Sequence, residues 1–277
     1  MATKFHRRNS ILILLLILLF IRCEIDLRQI ILCPDVETRV KQSQKLAPPS
    51  IPVFGDTFQF AVFADLHIGK QSGGYLDRFQ RAVESLGISF FCVAGDLTEH
   101  GMDSEYDSVK LLLRAIGPHL VTLGNHDLYR PNSWEKFKEC FGPSCYSVAL
   151  SPRLRLIFLD TGEGRLGENQ FTWLNEELQK SERIKIIITH FPIYDDQTPT
   201  IFRLASDAER ARLLGLLTRY QVYAYCAGHI HGYRHQLLGK TNHFVCGTIS
   251  GSLDFGKPGF LLFKIQGDSI GYQFINW

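Results

Sequence analysis

Six short apolar runs constrain this chain more than any other feature: Phe58–Ala64, Ile88–Ala94, His119–Leu123, Leu154–Leu159, Lys185–Thr189 and Val222–Ala227. Each falls within four to eight residues, is mostly β-branched or aromatic, and closes on a polar or turn residue. That is the pattern of strands buried on both faces. Amphipathic stretches separate them. Asp103 caps a helical pattern running toward Ile116, with Tyr106, Val109 and Leu113 on one face. Phe171, Leu174 and Leu178 form the stripe of a second, and Ser206-Asp207-Ala208-Glu209 is a capping-box sequence opening a third, to Arg219. Later the pattern changes: Tyr233–Leu238, His243–Cys246, Gly259–Ile265 and Ser269–Ile275 read as strands joined by tight turns. The expectation is an α/β chain, a four-layer α/β/β/α sandwich with two mixed sheets. One domain covers residues 56–277, with no internal repeat or second linker.

Five of the six runs are followed at once by a polar motif: Asp65-Leu66-His67, Gly95-Asp96, Gly124-Asn125-His126-Asp127, Thr189-His190 and Gly228-His229-Ile230-His231. Strands that deliver polar residues from their C-terminal ends build a site along one edge of the sheet, where α/β folds bind ligands. Asp65 and His67, two apart on an extended segment, face the same way and can reach one ion. His229 and His231 share that spacing, and a turn there lets them diverge toward different ions. The glycines before Asp96, Asn125 and His229 allow tight turns and close backbone approach. Oxygen and imidazole ligands suit Mn, Fe or Zn rather than a thiolate-preferring metal. Two such ions about 3.5–4 Å apart would clamp a phosphoryl group and acidify a bridging water into a hydroxide nucleophile. Taken singly each motif is weak: Asp-x-His is a common polar strand end, Gly124–Asp127 a good turn, His190 a core histidine. The combination in order carries the reading.

That order resembles the calcineurin-like metallophosphoesterase superfamily over residues 58 to about 232. The resemblance implies Asp65, His67, Asp96 and His231 around a first divalent metal ion. It implies Asp96, Asn125, His190 and His229 around a second, with Asp96 bridging. It sets His126 toward substrate, to stabilise transition-state charge and protonate the leaving oxygen, and Asp127 beside it as the partner that orients the imidazole. Gly95–Gly101 departs from the protein serine/threonine phosphatase pattern, and Glu99 stands where purple acid phosphatases place a tyrosine ligand. Gly95-Asp96-Leu97-Thr98 with Gly101, followed by Leu166–Leu174, is similar to the bacterial cyclic-nucleotide phosphodiesterase-like branch. The implied function is metal-dependent hydrolysis of a phosphodiester or phosphomonoester. Two alternatives stand beside it: a non-catalytic scaffold, which need not bind two ions, and a membrane-tethered hydrolase of lipid head groups. His100, His119, His235 and His243 match no ligand position and read as surface or strand residues, with His100 close enough behind the second motif to line the site. Tyr194, Asp195 and Asp196 read as a solvated loop.

The N-terminus differs from the rest. Lys4, Arg7 and Arg8 precede an unbroken apolar run, Ile11–Ile21, with no acidic residue before Glu24. As a helix it would cover roughly 17 Å, short of the roughly 30 Å hydrocarbon core. Residues 1–23 therefore read as a signal peptide or a short membrane anchor, which makes the protein extracytoplasmic, with membrane association through residues 11–21. Four prolines and the polar stretch Glu37–Lys45 make residues 24–55 a linker or irregular lead-in. A formal net charge of +2 gives no reason to expect nucleic acid as a stable partner. The implied partner is the phosphoester substrate. The seven cysteines show no zinc-finger spacing. Cys140 and Cys145 bracket a turn-like segment within reach of a local disulfide.

Overall fold

The computed structural model describes residues 33–69, 75–250 and 256–277. The signal or anchor segment, residues 1–23, lies outside them. In chain order the first elements are α1 (Val36–Ser43), β1 (Thr57–Phe63), α2 (Tyr75–Leu86), β2 (Phe90–Ala94), α3 (Asp103–Ile116), β3 (His119–Thr122) and α4 (Ser133–Phe141). There follow β4 (Tyr146–Ala149), β5 (Leu154–Phe158), α5 (Glu168–Leu178), β6 (Ile184–Ile188), α6 (Asp207–Arg219) and β7 (Ala224–Ala227). The chain ends in β8 (Tyr233–Leu238), β9 (Thr241–Cys246), β10 (Gly259–Gln266) and β11 (Ser269–Asn276). No described helix is long and apolar enough to cross a membrane.

The strands form two mixed sheets, ordered β11-β10-β1-β2-β3 and β4-β5-β6-β7-β9-β8. Within them β1, β2 and β3 run parallel, as do β5, β6, β7 and β9. Antiparallel β10, β11, β4 and β8 complete the edges. Alternate residues divide between two cores. Phe58, Phe60 and Val62 of β1 meet Phe90, Cys92, Ile186, Ile188, Cys226 and Phe244 between the sheets. Ala61 and Phe63 face outward to Phe79 of α2, Tyr106, Val109 and Leu113 of α3, and Trp134 and Phe137 of α4. On the second sheet Ile157, Ile187 and Tyr225 pack under α5 and α6 through Phe171, Leu174, Leu178, Leu213 and Leu217. The result is the four-layer α/β/β/α sandwich, and burial on both faces is why the runs are continuously apolar.

The lead-in departs from its expectation. Residues 36–43 form α1, whose N-cap Asp35 accepts from the Thr38 amide at 2.8 Å. Val36, Arg39, Val40 and Ser43 are buried. The Arg39 guanidinium donates to both oxygens of Asp160, at 2.8 and 2.9 Å, and to Glu163 at 2.7 Å. Burial alone would lower the Arg39 pKa, but the Asp160 and Glu163 charges outweigh it and raise it. Glu37 accepts from the Glu168 and Asn169 amides at 2.5 and 3.1 Å, satisfying the exposed start of α5. The stretch looks like a linker on its own because its partners stand more than a hundred residues away.

Two smaller expectations also change. Asp103 is the first helical residue of α3, and Met102 is the cap, its amide held by Glu105 at 3.1 Å. Cys140 and Cys145 are both free thiols. Cys145 packs with Val36 and Val40, whereas Cys140 belongs to the α2–α4 side, so the two point into different cores.

Candidate metal centre

The five motifs leave the C-terminal ends of β1, β2, β3, β6 and β7 and meet there. Backbone bonds lock the turns together: the Asp65 amide to Gly95, the His67 amide to Asp96 and the Gly228 amide to His190, at 3.0, 3.0 and 2.9 Å. Asp65, His67, Asp96 and His231 bring one ligand atom each to within 4.8 Å of one another, and so do Asp96, His190 and His229. Every member of both groups is buried, and Asp96 belongs to both. Asn125 joins the second group, its Oδ1 lying 3.0 Å from His190 Nε2.

The chemistry of this donor set fits a cation. His190 donates from Nδ1 to the Ala94 carbonyl at 2.9 Å, an assignment that leaves Nε2 facing Asp96 Oδ2 at 3.2 Å as well as Asn125. Nε2 of His67 and Nε2 of His231 stand 3.0 Å apart. Nδ1 of His229 is buried with no hydrogen-bond partner. Carboxylate, amide and imidazole ligand atoms thus converge, and the Asp96 charge that holds a proton on His190 is one a divalent ion would satisfy in its place, displacing that proton. Burial disfavours charge on Asp96 and His190, yet their attraction wins. Asp96 is held well below the usual carboxylate range and His190 is pushed up to about 9. Burial, then the neighbouring His190 charge, drives His229 well below the usual histidine range, so it is neutral and able to coordinate.

The backbone is bent to make this cluster. Asp65, His67, Asp96, His229 and His231 have φ of 57°, 48°, 52°, 71° and 49°. Among the described non-glycine residues, only Gln221 shares that region. Such residues cost on the order of 1–3 kcal/mol each, and Asp and His tolerate the conformation better than most. The Asp-x-His pair therefore does not converge as an extended segment, as its spacing implied; two left-handed residues turn both side chains inward. Gly95, at φ +87°, is required for the same reason: a Cβ there would stand 2.6 Å from His190 Nδ1.

The third motif splits its roles differently from the expectation. The His126 amide donates to Asp96 Oδ1 at 2.8 Å, its Nδ1 lies 2.8 Å from the Glu99 carbonyl, and its Nε2 lies 3.2 Å from the Tyr129 hydroxyl. Asp127 does not orient this imidazole. Its carboxylate accepts from the Thr98 amide and hydroxyl at 2.9 and 2.8 Å, and from the Leu97 and Gly124 amides at 3.2 and 2.9 Å. Residues 126–128 form a 3₁₀ turn, which sends neighbouring side chains to different sides. Asp127 staples the second motif to the third, and burial followed by the nearby Asp96 charge pushes its pKa up to about 6.

Some residues at the centre carry no motif of their own. Glu99 Oε2 lies 2.9 Å from His67 Nδ1, a carboxylate behind a candidate ligand. Its position three residues after Asp96 was the available signal. Tyr129 faces His126 and stands two residues after the third motif. Asp195 is buried, contrary to the solvated-loop reading, although Tyr194 and Asp196 are exposed. His100 turns to Glu105, 3.1 Å away, and stays half exposed.

Residues 58–233 match the calcineurin-like phosphoesterase family. Among the solved structures that resemble the chain are two of similar fold. One is GAP50, the anchor in the inner membrane complex of Plasmodium: 18% identity and TM-score 0.62, over 80% of this chain and 85% of that one. The other is the purple acid phosphatase PPD1 from yellow lupin (Lupinus luteus) seeds: 17% identity and TM-score 0.68, over 82% of this chain and 54% of that one. At these identities the likeness is one of fold, and this chain spans about half the length of the lupin enzyme.

Proposed function

This chain belongs to the calcineurin-like phosphoesterase family, and on that footing we propose that it hydrolyses phosphoester bonds at a centre for two divalent ions. Asp65, His67, Asp96 and His231 would hold one; Asp96, Asn125, His190 and His229 would hold the other. The observation that carries this reading is the pair of buried ligand groups sharing one carboxylate. Ions such as Mn, Fe or Zn supply, when bound, charge that neutralises phosphoryl oxygens and lowers the pKa of water.

The chain's own residues do the rest. The Ala94 carbonyl fixes the tautomer of His190 so that Nε2 is the coordinating atom. Glu99 places a carboxylate oxygen 2.9 Å from His67 Nδ1, adding negative charge beside that candidate ligand. His126 is tied through Nδ1 to the Glu99 carbonyl, so a protonated ring carries its second proton on Nε2. From there it can pass to the leaving oxygen as the phosphoester bond breaks. Both phosphodiesters and phosphomonoesters fall within this chemistry.

A second reading, an anchoring scaffold without turnover, draws support from the likeness to GAP50. Export, with residues 1–23 as signal peptide or anchor, is part of our proposal, and retention in the membrane fraction after high-salt washing would favour the anchor. The test of the enzyme uses the full chain, stripped of metal and reloaded with manganese, on bis(p-nitrophenyl) phosphate and p-nitrophenyl phosphate. We expect metal-dependent turnover of at least one ester, abolished in Asp96→Asn. Full turnover by that variant, or none by the metal-loaded wild type, contradicts the proposal.

A further inference from the structure

In a 3₁₀ turn side chains three residues apart stand one above the other. His126–Leu128 form such a turn, and Tyr129 closes it in helical conformation, with φ of −70° and ψ of −13°. The turn sets the Tyr129 ring against that of His126, centroids 4.5 Å apart and planes inclined by 41°. The Tyr129 hydroxyl stands 3.2 Å from His126 Nε2, the atom from which the proton would leave. His126 Nδ1 faces the Glu99 carbonyl, which only accepts, so Nδ1 keeps its hydrogen whether the ring is charged or neutral. Nε2 is therefore the atom that changes: it donates when the ring is protonated and accepts when it is not. A hydroxyl suits both states, because it accepts in the first and donates in the second.

The imidazole itself is held in place. Its backbone amide donates to Asp96 Oδ1 at 2.8 Å, its Nδ1 lies 2.8 Å from the Glu99 carbonyl, and its ring stands edge-on to that of His67, centroids 4.5 Å apart at 89°. His126 is 8% exposed, whereas Tyr129 is only half-buried. To follow a departing oxygen the imidazole would have to give up these contacts. A phenolic proton only has to turn about its C–O bond.

We infer that Tyr129 is a further catalytic residue, whose hydroxyl relays the proton of His126 to the leaving oxygen. This rests on the phosphoesterase reading and on His126 as its acid. As the phosphorus–oxygen bond breaks, its electron pair stays on the leaving oxygen. The Tyr129 hydroxyl proton forms the new O–H bond there, and the Nε2 proton of His126 takes its place on the tyrosine oxygen. Tyr129 ends the step as it began and His126 ends it neutral, to regain a proton from solvent before the next turnover.

The test compares kcat/KM of the full, manganese-loaded chain on p-nitrophenyl and phenyl esters, as phosphate monoesters or diesters, whichever form it hydrolyses. Phenol is the weaker acid of the two leaving groups, so its departure depends more on the donated proton. Tyr129→Phe removes the hydroxyl and keeps the ring. It should lower the phenyl rate by about tenfold or more beyond any effect on the nitrophenyl rate, as loss of a proton donor does. Its metal content should match the wild type by elemental analysis. His126→Ala should move the ratio of the two rates in the same direction. The double variant should move it no further than His126→Ala alone, because members of one relay act as a unit. No loss in Tyr129→Phe, an equal loss on both esters, or a loss of metal would each overturn the relay and leave the phosphoesterase standing. A further shift of the ratio in the double variant overturns it too. A wild-type ratio in His126→Ala removes the acid and the relay together. A wild type that hydrolyses neither ester in either form removes the phosphoesterase reading, and the inference with it.

Discussion

The Asp96 carboxylate lies 3.2 Å from His190, 3.7 Å from His67 and 2.8 Å from the amide of His126. One residue therefore ties both ligand groups to the segment proposed to act on the leaving group. The His126 ring also stands edge-on to that of His67, centroids 4.5 Å apart, but it belongs to neither group proposed to hold an ion. His126→Ala should accordingly retain bound metal while kcat falls by roughly 10²–10⁴-fold, the usual range for a lost general acid. Elemental analysis beside kinetics checks this, and loss of metal would contradict it. Gly95→Ala should destabilise the metal-free protein by about 1–2 kcal/mol, since a left-handed residue and a crowded Cβ are forced together. Urea denaturation measures it. The candidate ligands were legible because their chemistry is written in contiguous motifs. Asp127 and Glu99 were not, because their partners are fixed by a 3₁₀ turn and by the approach of two loops. For Glu99 the spacing of three after Asp96 marked the position but not the partner.

At the level of elements, α1 and the Asp160 segment are coupled more tightly than their sequences suggest. The apolar run Leu154–Leu159 ends without a metal motif, yet Asp160 after it receives the fully buried Arg39. Removing one partner of a buried ion pair strands the other. Arg39→Met should cost about 3–5 kcal/mol, and adding Asp160→Asn should recover part of it. Chemical denaturation of the two variants tests the pair, and a loss below about 1 kcal/mol in Arg39→Met, the range of exposed pairs, would contradict it. A chain beginning at residue 56 should likewise be less stable than one that keeps α1. Edge strand β4 was missed because it is four residues long and half-exposed, with Ser147 inside it. The buried strands were found because burial on both faces leaves long apolar runs.

Across the whole molecule the two sheets were readable from alternation and turns, but the cross-links between layers were not. His243 is one of them. It sits fully buried on β9, its Nε2 accepting from Ile193 of the loop beside the metal centre. Burial lowers its pKa from 6.5 to about 4. The folded protein therefore holds this ring neutral while the unfolded chain protonates first as the pH falls. Its contribution is present above about 6.5 and is lost between about 6.5 and 4, amounting to about 3 kcal/mol. Melting temperature against pH should show that decline, and His243→Gln should flatten it. An unchanged slope in the variant would place the acid sensitivity elsewhere.

The most direct test of the proposed dinuclear centre is a metal count on the full chain, stripped with chelator and titrated with manganese or zinc. Two ligand groups sharing Asp96 predict two ions per chain, and loss of at least one in Asp96→Asn while its circular dichroism is retained. One ion or none in the wild type, or two held unchanged by Asp96→Asn, would contradict the account.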